Sequence, residues 1–204
     1  MASPQRYKAF ISYSHQDRKA AEWLHRALES YRPPRGLRGT DGGVLAGALK
    51  PIFRDRDELS ATPDLSEAIR GALDCSDALI ILCSPHASAS LWVDREVAHF
   101  VAQRGAARVI SVIAPEAPER MSLSEMLPPT LRAALPEGVE PLAVDLRQDA
   151  DGRRLAKLKI AASLLGVSLD QLVQRDARRR LRVMTAVSAA ALVVTAGMGA
   201  MTVA

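Results

Sequence analysis

The run Ala78-Leu79-Ile80-Ile81-Leu82 puts five apolar residues in a row, with no polar position to meet water. A strand of that composition is buried on both faces, as in a parallel sheet covered by helices. The chain supplies four more candidate strands. They are Lys8-Ala9-Phe10-Ile11-Ser12-Tyr13, Pro51-Ile52-Phe53, Arg108-Val109-Ile110-Ser111-Val112-Ile113, and residues 142–146, where a preceding Pro141 suits a sheet edge. Helical periodicity separates them. Ala20, Leu24, Ala27, Leu28 and Tyr31 share one face, as do Leu65, Ile69, Ala72 and Leu73, and then Leu155, Leu158, Ala162 and Leu165. Asp17 is placed to cap the first of these helices, Asp64 with Glu67 to cap the second, and Asp151 to open the third, which ends at Gly166. Ser168 with Gln171 makes another capping box. The glycine-rich residues 39–47 read as an exposed insertion, and the Pro-rich residues 114–136 as mostly loop with a short helical turn. The alternation predicts an α/β fold: a five-stranded parallel sheet with helices on both faces and right-handed crossovers.

After the buried strand, residues 84–90 read as a loop, and a helix then carries Trp92 and Glu96. Residues four apart share a helix face, so the ring and the carboxylate point the same way. Val93, Val97, Phe100 and Val101 form a separate apolar stripe. With the stripe docked on the sheet, Trp92 and Glu96 face the strand ends, where open α/β sheets bind ligands. The bland alternative is that Glu96 is solvated surface and Trp92 is packing.

The chain has 204 residues, enough for one domain of common size and an appendage. Its 27 Lys and Arg outnumber its 23 Asp and Glu, for a net charge of +4. Nine of the basic residues fall within 153–182 against two acidic ones, so the rest of the chain carries 18 basic and 21 acidic side chains. The excess is local, and no nucleic-acid groove across the domain is expected. The two cysteines, Cys75 and Cys83, flank the buried strand and read as small hydrophobes, with neither a disulfide nor a metal site expected. Residues 1–7 are polar, with no signal-peptide core. Residues 183–204 hold no charge and no polar face, and 22 residues suffice to span a hydrocarbon core of ~30 Å as a helix. Arg178, Arg179, Arg180 and Arg182 immediately precede them, which places the preceding domain on the cytoplasmic side. The helix from Ser168 is expected to run through these arginines into the membrane. Such a span is either a tail anchor or the start of a longer protein.

Three segments then line up: Phe10-Ile-Ser-Tyr-Ser-His-Gln-Asp17 at the first strand, Phe53-Arg-Asp-Arg-Asp-Glu-Leu59 after the second, and Ser84-Pro-His-Ala-Ser-Ala-Ser-Leu-Trp-Val-Asp-Arg-Glu96 after the third. Together they resemble a Toll/interleukin-1 receptor (TIR) domain in a bacterial, membrane-anchored form. The resemblance covers about residues 6–165, and leaves 166–182 as a basic juxtamembrane helix and 183–204 as the transmembrane helix. It implies a flavodoxin-like fold. Some TIR domains hydrolyse NAD⁺ with a Glu four residues after a Trp, so it implies Glu96 as catalytic residue and Trp92 as substrate-binding. The loop after the second strand resembles the BB loop, which lines the NAD⁺ site and mediates TIR–TIR contacts. That implies substrate-side roles for Asp55 and Leu59, while Ser14 matches a position near the nucleotide. One departure is that Leu59-Ser60-Ala61-Thr62-Pro63-Asp64 lacks the glycine usual in BB loops. Pro63 fixes its own φ and biases Thr62 toward extended geometry, so a stiffer loop is expected.

The implied chemistry suits a single carboxylate. Cleavage of the nicotinamide–ribose bond expels a neutral leaving group and builds positive charge on the ribose, which a nearby carboxylate stabilises. NAD⁺ would be a substrate, with no cofactor or metal. His15, His25, His86 and His99 show no metal-ligand spacing, and His99 reads as helix surface. No Walker or G-x-G-x-x-G loop exists to cradle phosphates, and Asp55-Arg56-Asp57-Glu58 also reads as a solvated charge run. The expected partners are further TIR domains and the membrane. A non-enzymatic adaptor acting through TIR–TIR contacts is the rival reading. A receiver-like phospho-acceptor is disfavoured because the first strand ends Ser12-Tyr13-Ser14 and not in acidic residues.

Overall fold

The computed structural model describes residues 5–34, 36–37, 47–54, 63–136 and 142–174. Five parallel strands form one sheet: β1 (Ala9–Ser12), β2 (Ile52–Arg54), β3 (Leu79–Cys83), β4 (Val109–Ile113) and β5 (Ala143–Asp145), in the order β2-β1-β3-β4-β5. The register aligns Phe10 with Phe53 on one side and Leu79 on the other, Ser12 with Ile81, and Ile81 with Ser111. This is the flavodoxin-like arrangement, with β5 at the edge.

Alternation sorts the strands' side chains onto two faces. Phe10, Leu79, Ile81, Cys83 and Ile113 pack under α2 (Pro63–Asp74) and α4 (Leu91–Arg104), meeting Ile69, Ala72, Leu73, Val93, Val97 and Phe100. Ala9, Ile11, Ile80, Leu82, Val112 and Val144 face the other way, under α1 (Arg18–Glu29) and α7 (Gly152–Leu165). The predicted stripe of α4 therefore docks as expected, with Val101 only partly buried.

Helix α7 differs from its predicted face. Ala156 and Ile160 meet the sheet, whereas Leu158, Ala161 and Ala162 join a third cluster with Tyr31, Leu37, Leu49 and Leu172. The helix is thus sandwiched between the sheet and the following segment. Gly166 ends it in the left-handed conformation, with φ 62° and ψ 44°. Residues 169–174 are again helical, after a cap in which Gln171 N donates to Ser168 Oγ at 3.5 Å.

Residues 84–90 are not a loop: Pro85–Ala89 forms α3, with Ser84 as its cap and Pro85 in its first turn. Residues 114–136 contain two short helices, α5 (Leu123–Met126) and α6 (Pro129–Ala134). Helix α5 opens with a full capping box between Ser122 and Glu125.

The expected aspartate caps fare differently. Helix α2 begins at Pro63, so Asp64 lies in its first turn and not at the cap. Asp17 and Asp151 stand at cap positions, but neither side chain makes a capping hydrogen bond to its helix. Asp151 instead accepts from Asp145 N at 3.1 Å and from Lys159 Nζ at 2.6 Å, tying α7 to β5. Among the described residues no helix is long and apolar enough to cross a membrane. Residues 39–46 of the insertion predicted at 39–47, Arg178, Arg179, Arg180 and Arg182, and the span 183–204 lie outside the described residues.

Phe100 joins α4 to the sheet and is 1 % exposed. Phe100→Ala should cost about 3–5 kcal/mol of unfolding free energy. Denaturant titration checks this through a lowered midpoint at unchanged slope.

Candidate active site

The parallel sheet ends its strands β1 and β3 at one edge, and the chain reverses its direction of travel across the sheet between them. That switch point is where doubly wound sheets open a crevice. Ser12 ends β1, Ser14 and Asp17 follow it closely, and Ser84 follows β3. All are sequestered from water: Ser12 is 1 %, Ser14 4 %, Asp17 6 % and Ser84 2 % exposed.

Glu96 enters this region from α4. It is 5 % exposed, so the solvated-surface reading of this carboxylate fails. Its Oε2 accepts from Ser12 Oγ at 2.5 Å, which fastens the helix to the end of β1. A buried carboxylate needs such a donor to offset its lost hydration. Its helix is locked from three sides. Ser90 caps the start, accepting from Val93 N at 3.3 Å. Asp94 accepts from Thr130 N at 2.8 Å and from Thr130 Oγ1 at 3.0 Å, fixing α4 against α6. Asp74 at the end of α2 meets His99 Nε2 at 2.6 Å, and its backbone oxygen accepts from Arg104 Nη2 at 2.8 Å. His99 is therefore a link between helices and not plain surface.

Between α2 and α4 lies a cleft of about 200 Å³ lined by Ile69, Arg70, Leu73, Trp92, Arg95, Glu96 and His99. Trp92 is 37 % exposed, and presents its ring to the cleft rather than filling the core. The sequence reading of one shared face for Trp92 and Glu96 corresponds to this wall. Ser14 is buried two residues beyond Ser12 and does not line the cleft. Asp55 and Leu59 lie outside the described residues, in the connection between the end of β2 and Pro63. At that end of β2, Arg54 Nη1 donates to Tyr13 Oη at 3.0 Å.

A second buried polar contact lies beside the first. Ser84 Oγ donates to Asp17 Oδ2 at 2.6 Å and accepts from Ala87 N at 3.0 Å, so one hydroxyl joins the start of α1 to the start of α3. Burial pushes the Asp17 carboxyl above the ordinary aspartate range; the Ser84 bond opposes this, as do the charges of His86 and His15, while Glu116 reinforces it. Burial likewise pushes the Cys83 thiol up to about 12, so it is an apolar core group and not a nucleophile. Among the described residues no cluster of three or more His, Cys, Asp or Glu side chains is arranged to hold a metal ion.

Chemically, a desolvated carboxylate beside an aromatic face can stabilise a developing positive charge on a small ring. Ser12 was not singled out in the sequence, nor were Arg70 and Arg95. Alternation with Phe10 was the signal that could have placed Ser12 on the α4 side of the sheet.

A family model described as TIR domain matches residues 9–159. The chain belongs to the TIR domain family. Within the TIR domain family, the NAD(+) hydrolase ApTIR of Actinoplanes sp. (strain ATCC 31044 / CBS 674.73 / SE50/110) is 31 % identical over 196 residues, which is 85 % of this chain and 25 % of the relative. The chain thus spans about a quarter of the length of that relative.

The raised proton affinity of Asp17 has a definite sign. Its folded carboxyl holds a proton more tightly than the unfolded one, so this residue's contribution is greatest below the unfolded value and is lost as pH rises through the folded value. Asp17→Asn keeps an acceptor for Ser84 without the charge. Thermal melts should show the variant more stable than the wild type at neutral pH, with the difference closing toward the ordinary aspartate value of 3.8.

Proposed function

We propose that this TIR domain hydrolyses NAD⁺ to nicotinamide and an ADP-ribose product in signalling or defence, with Glu96 as the catalytic residue. The observation that carries this reading is the burial of Glu96, which bonds to Ser12 at the end of β1 and lines the cleft between α2 and α4 together with Trp92. The bond from ribose C1′ to the nicotinamide nitrogen breaks with its electron pair on the ring, which leaves as neutral nicotinamide. Positive charge spreads over C1′ and the ring oxygen, and the Glu96 carboxylate stabilises it. Water then bonds to C1′ and its proton passes to solvent. Trp92 stacks on the cationic nicotinamide before it departs. Arg70 and Arg95 on the cleft supply charge of the sign that a pyrophosphate requires. The name of the Actinoplanes relative supports the same substrate.

The cleft is smaller than the roughly 300–1,000 Å³ of sites that enclose a drug-sized ligand. It suits one end of a dinucleotide, so completion of the site by self-association through TIR–TIR contacts belongs to the proposal. Asp55 and Leu59 of the BB loop, with Ser14, are the proposed further substrate contacts.

The test is Glu96→Ala in the full chain, followed by release of nicotinamide. Turnover should fall by about 10²–10³ with the circular dichroism spectrum unchanged. Retained wild-type turnover removes Glu96 from the mechanism. A wild-type chain that assembles but never cleaves NAD⁺ leaves the adaptor reading in its place.

The organisation proposed with this activity is a domain at 6–165, a basic juxtamembrane segment at 166–182, and one span at 183–204 in the inner membrane, with the domain facing cytoplasmic NAD⁺. Its support is the uncharged C-terminal stretch and the arginines before it. Val193→Arg puts a charge near the middle of that stretch, at a cost of about 2.5–3.5 kcal/mol on insertion scales. Fractionation should show the variant shifted from the membrane to the soluble fraction. A wild-type chain found soluble without detergent contradicts the anchor.

A further inference from the structure

One hydroxyl joins Glu96 to the sheet. Ser12 is the last residue of β1, which is hydrogen-bonded to β2 on one side and β3 on the other. Its Cα is registered against Ile81 in the middle of β3. The side chain is 1 % exposed and donates to Glu96 Oε2 at 2.5 Å. A group held on an interior strand moves far less than one on a loop, and a serine hydroxyl has a single torsion to set. Ser12 therefore fixes one carboxylate oxygen in position while adding no charge of its own.

We propose that Ser12 is the positioning residue of Glu96, orienting its carboxylate toward the cleft and favouring its ionised form. The inference rests on the NAD⁺-cleaving reading of Glu96 and adds a role for Ser12, to which the resemblance assigned none although it lies in the first TIR-like segment, Phe10 to Asp17. A hydroxyl that donates to a carboxylate favours the charged state, and charge is what an oxocarbenium-like ribose needs opposite it. The other charged or titratable side chains on this cleft are Arg70 from α2 and Arg95 and His99 from α4. Arg70 and Arg95 are exposed, so water screens them, whereas the Ser12 bond lies wholly inside. Orientation should matter more to the barrier than to binding, because positive charge develops on the ribose only as the bond breaks.

The full chain is assayed for nicotinamide release across pH as wild type, Ser12→Ala, Ser12→Thr and Ser12→Cys. Ser12→Ala should lower kcat roughly 10- to 100-fold while KM stays within about twofold. Its acid limb should move to higher pH, because the donor that favours the ionised carboxylate is gone. Ser12→Thr keeps the hydroxyl and should restore both the rate and the limb. A merely structural role would instead lower the rate by one factor at all pH values and lower the melting temperature with it; that result overturns the proposal. Should Ser12→Ala fail to fold, Ser12→Cys decides: its thiol is a poor donor of similar shape, and wild-type kcat in that variant also overturns the proposal. If the wild type cleaves NAD⁺ and Glu96→Ala does not, but Ser12→Ala matches the wild type, only this inference falls. If the wild type itself cleaves nothing, the reading of the site falls and takes this inference with it.

Discussion

The position of β1 between β2 and β3 governs the rest of the molecule. With β1 inside the sheet, its C-terminal end opens at the switch in chain direction, and the residues that follow it are roofed by α4 on one side and α1 on the other. Two hydroxyl-to-carboxylate bonds span this point. Ser12 on β1 reaches Glu96 on α4, and Ser84 after β3 reaches Asp17 before α1. Each bond joins an element near the sheet's centre to a helix that covers it, so the same contacts that satisfy buried carboxylates also set the helices' positions.

Helix α4 bears two demands that oppose each other. Val93, Val97 and Phe100 bury it against the sheet, which favours an apolar surrounding. Glu96 lies on the same helix and is almost as deeply buried, which a charge resists. The conflict is contained because Glu96 sits at the strand end, where a hydroxyl is within reach, rather than over the strand middle, where Leu79 and Ile81 offer none. Asp94 and His99 take the torque of this arrangement by fastening the helix to α6 and α2. Such local conflict between burial and charge is common at functional sites.

Strands and their order of burial were legible because a doubly covered sheet writes itself as continuous apolar runs. The core stripe of α4 and the shared face of Trp92 and Glu96 followed from helical spacing alone. Two of the misread caps share one cause. Asp17, Asp64 and Asp151 were assigned to helix caps by a local rule, yet Asp17 is bonded across the fold to Ser84, and Asp151 to Lys159 two turns along its own helix. A carboxylate that can gain a charge-assisted or buried partner does so in preference to a backbone N–H beside it. Serine capped locally at Ser84, Ser90 and Ser122, and at Ser84 the same hydroxyl also donates to Asp17. Helix α3 was missed although Ser84-Pro85 is a good helix start, because five residues are too few to show periodicity. The BB-loop residues Asp55 and Leu59 remain a sequence reading only.

The chemistry of the donor to Glu96 carries its own logic. An arginine in place of Ser12 would hold the carboxylate more tightly, but its positive charge would oppose the ribose cation that Glu96 is proposed to stabilise. A hydroxyl donates one hydrogen bond and adds no charge of its own. The cations that do occur, Arg70 and Arg95, are exposed on the cleft, where solvent weakens their pull on Glu96 and leaves them free to meet an anionic group. Charge is thereby divided by exposure: the Glu96 carboxylate is buried, whereas Arg70 and Arg95 are exposed. A substrate with a cationic ring at one end and a pyrophosphate further along matches that division along its length.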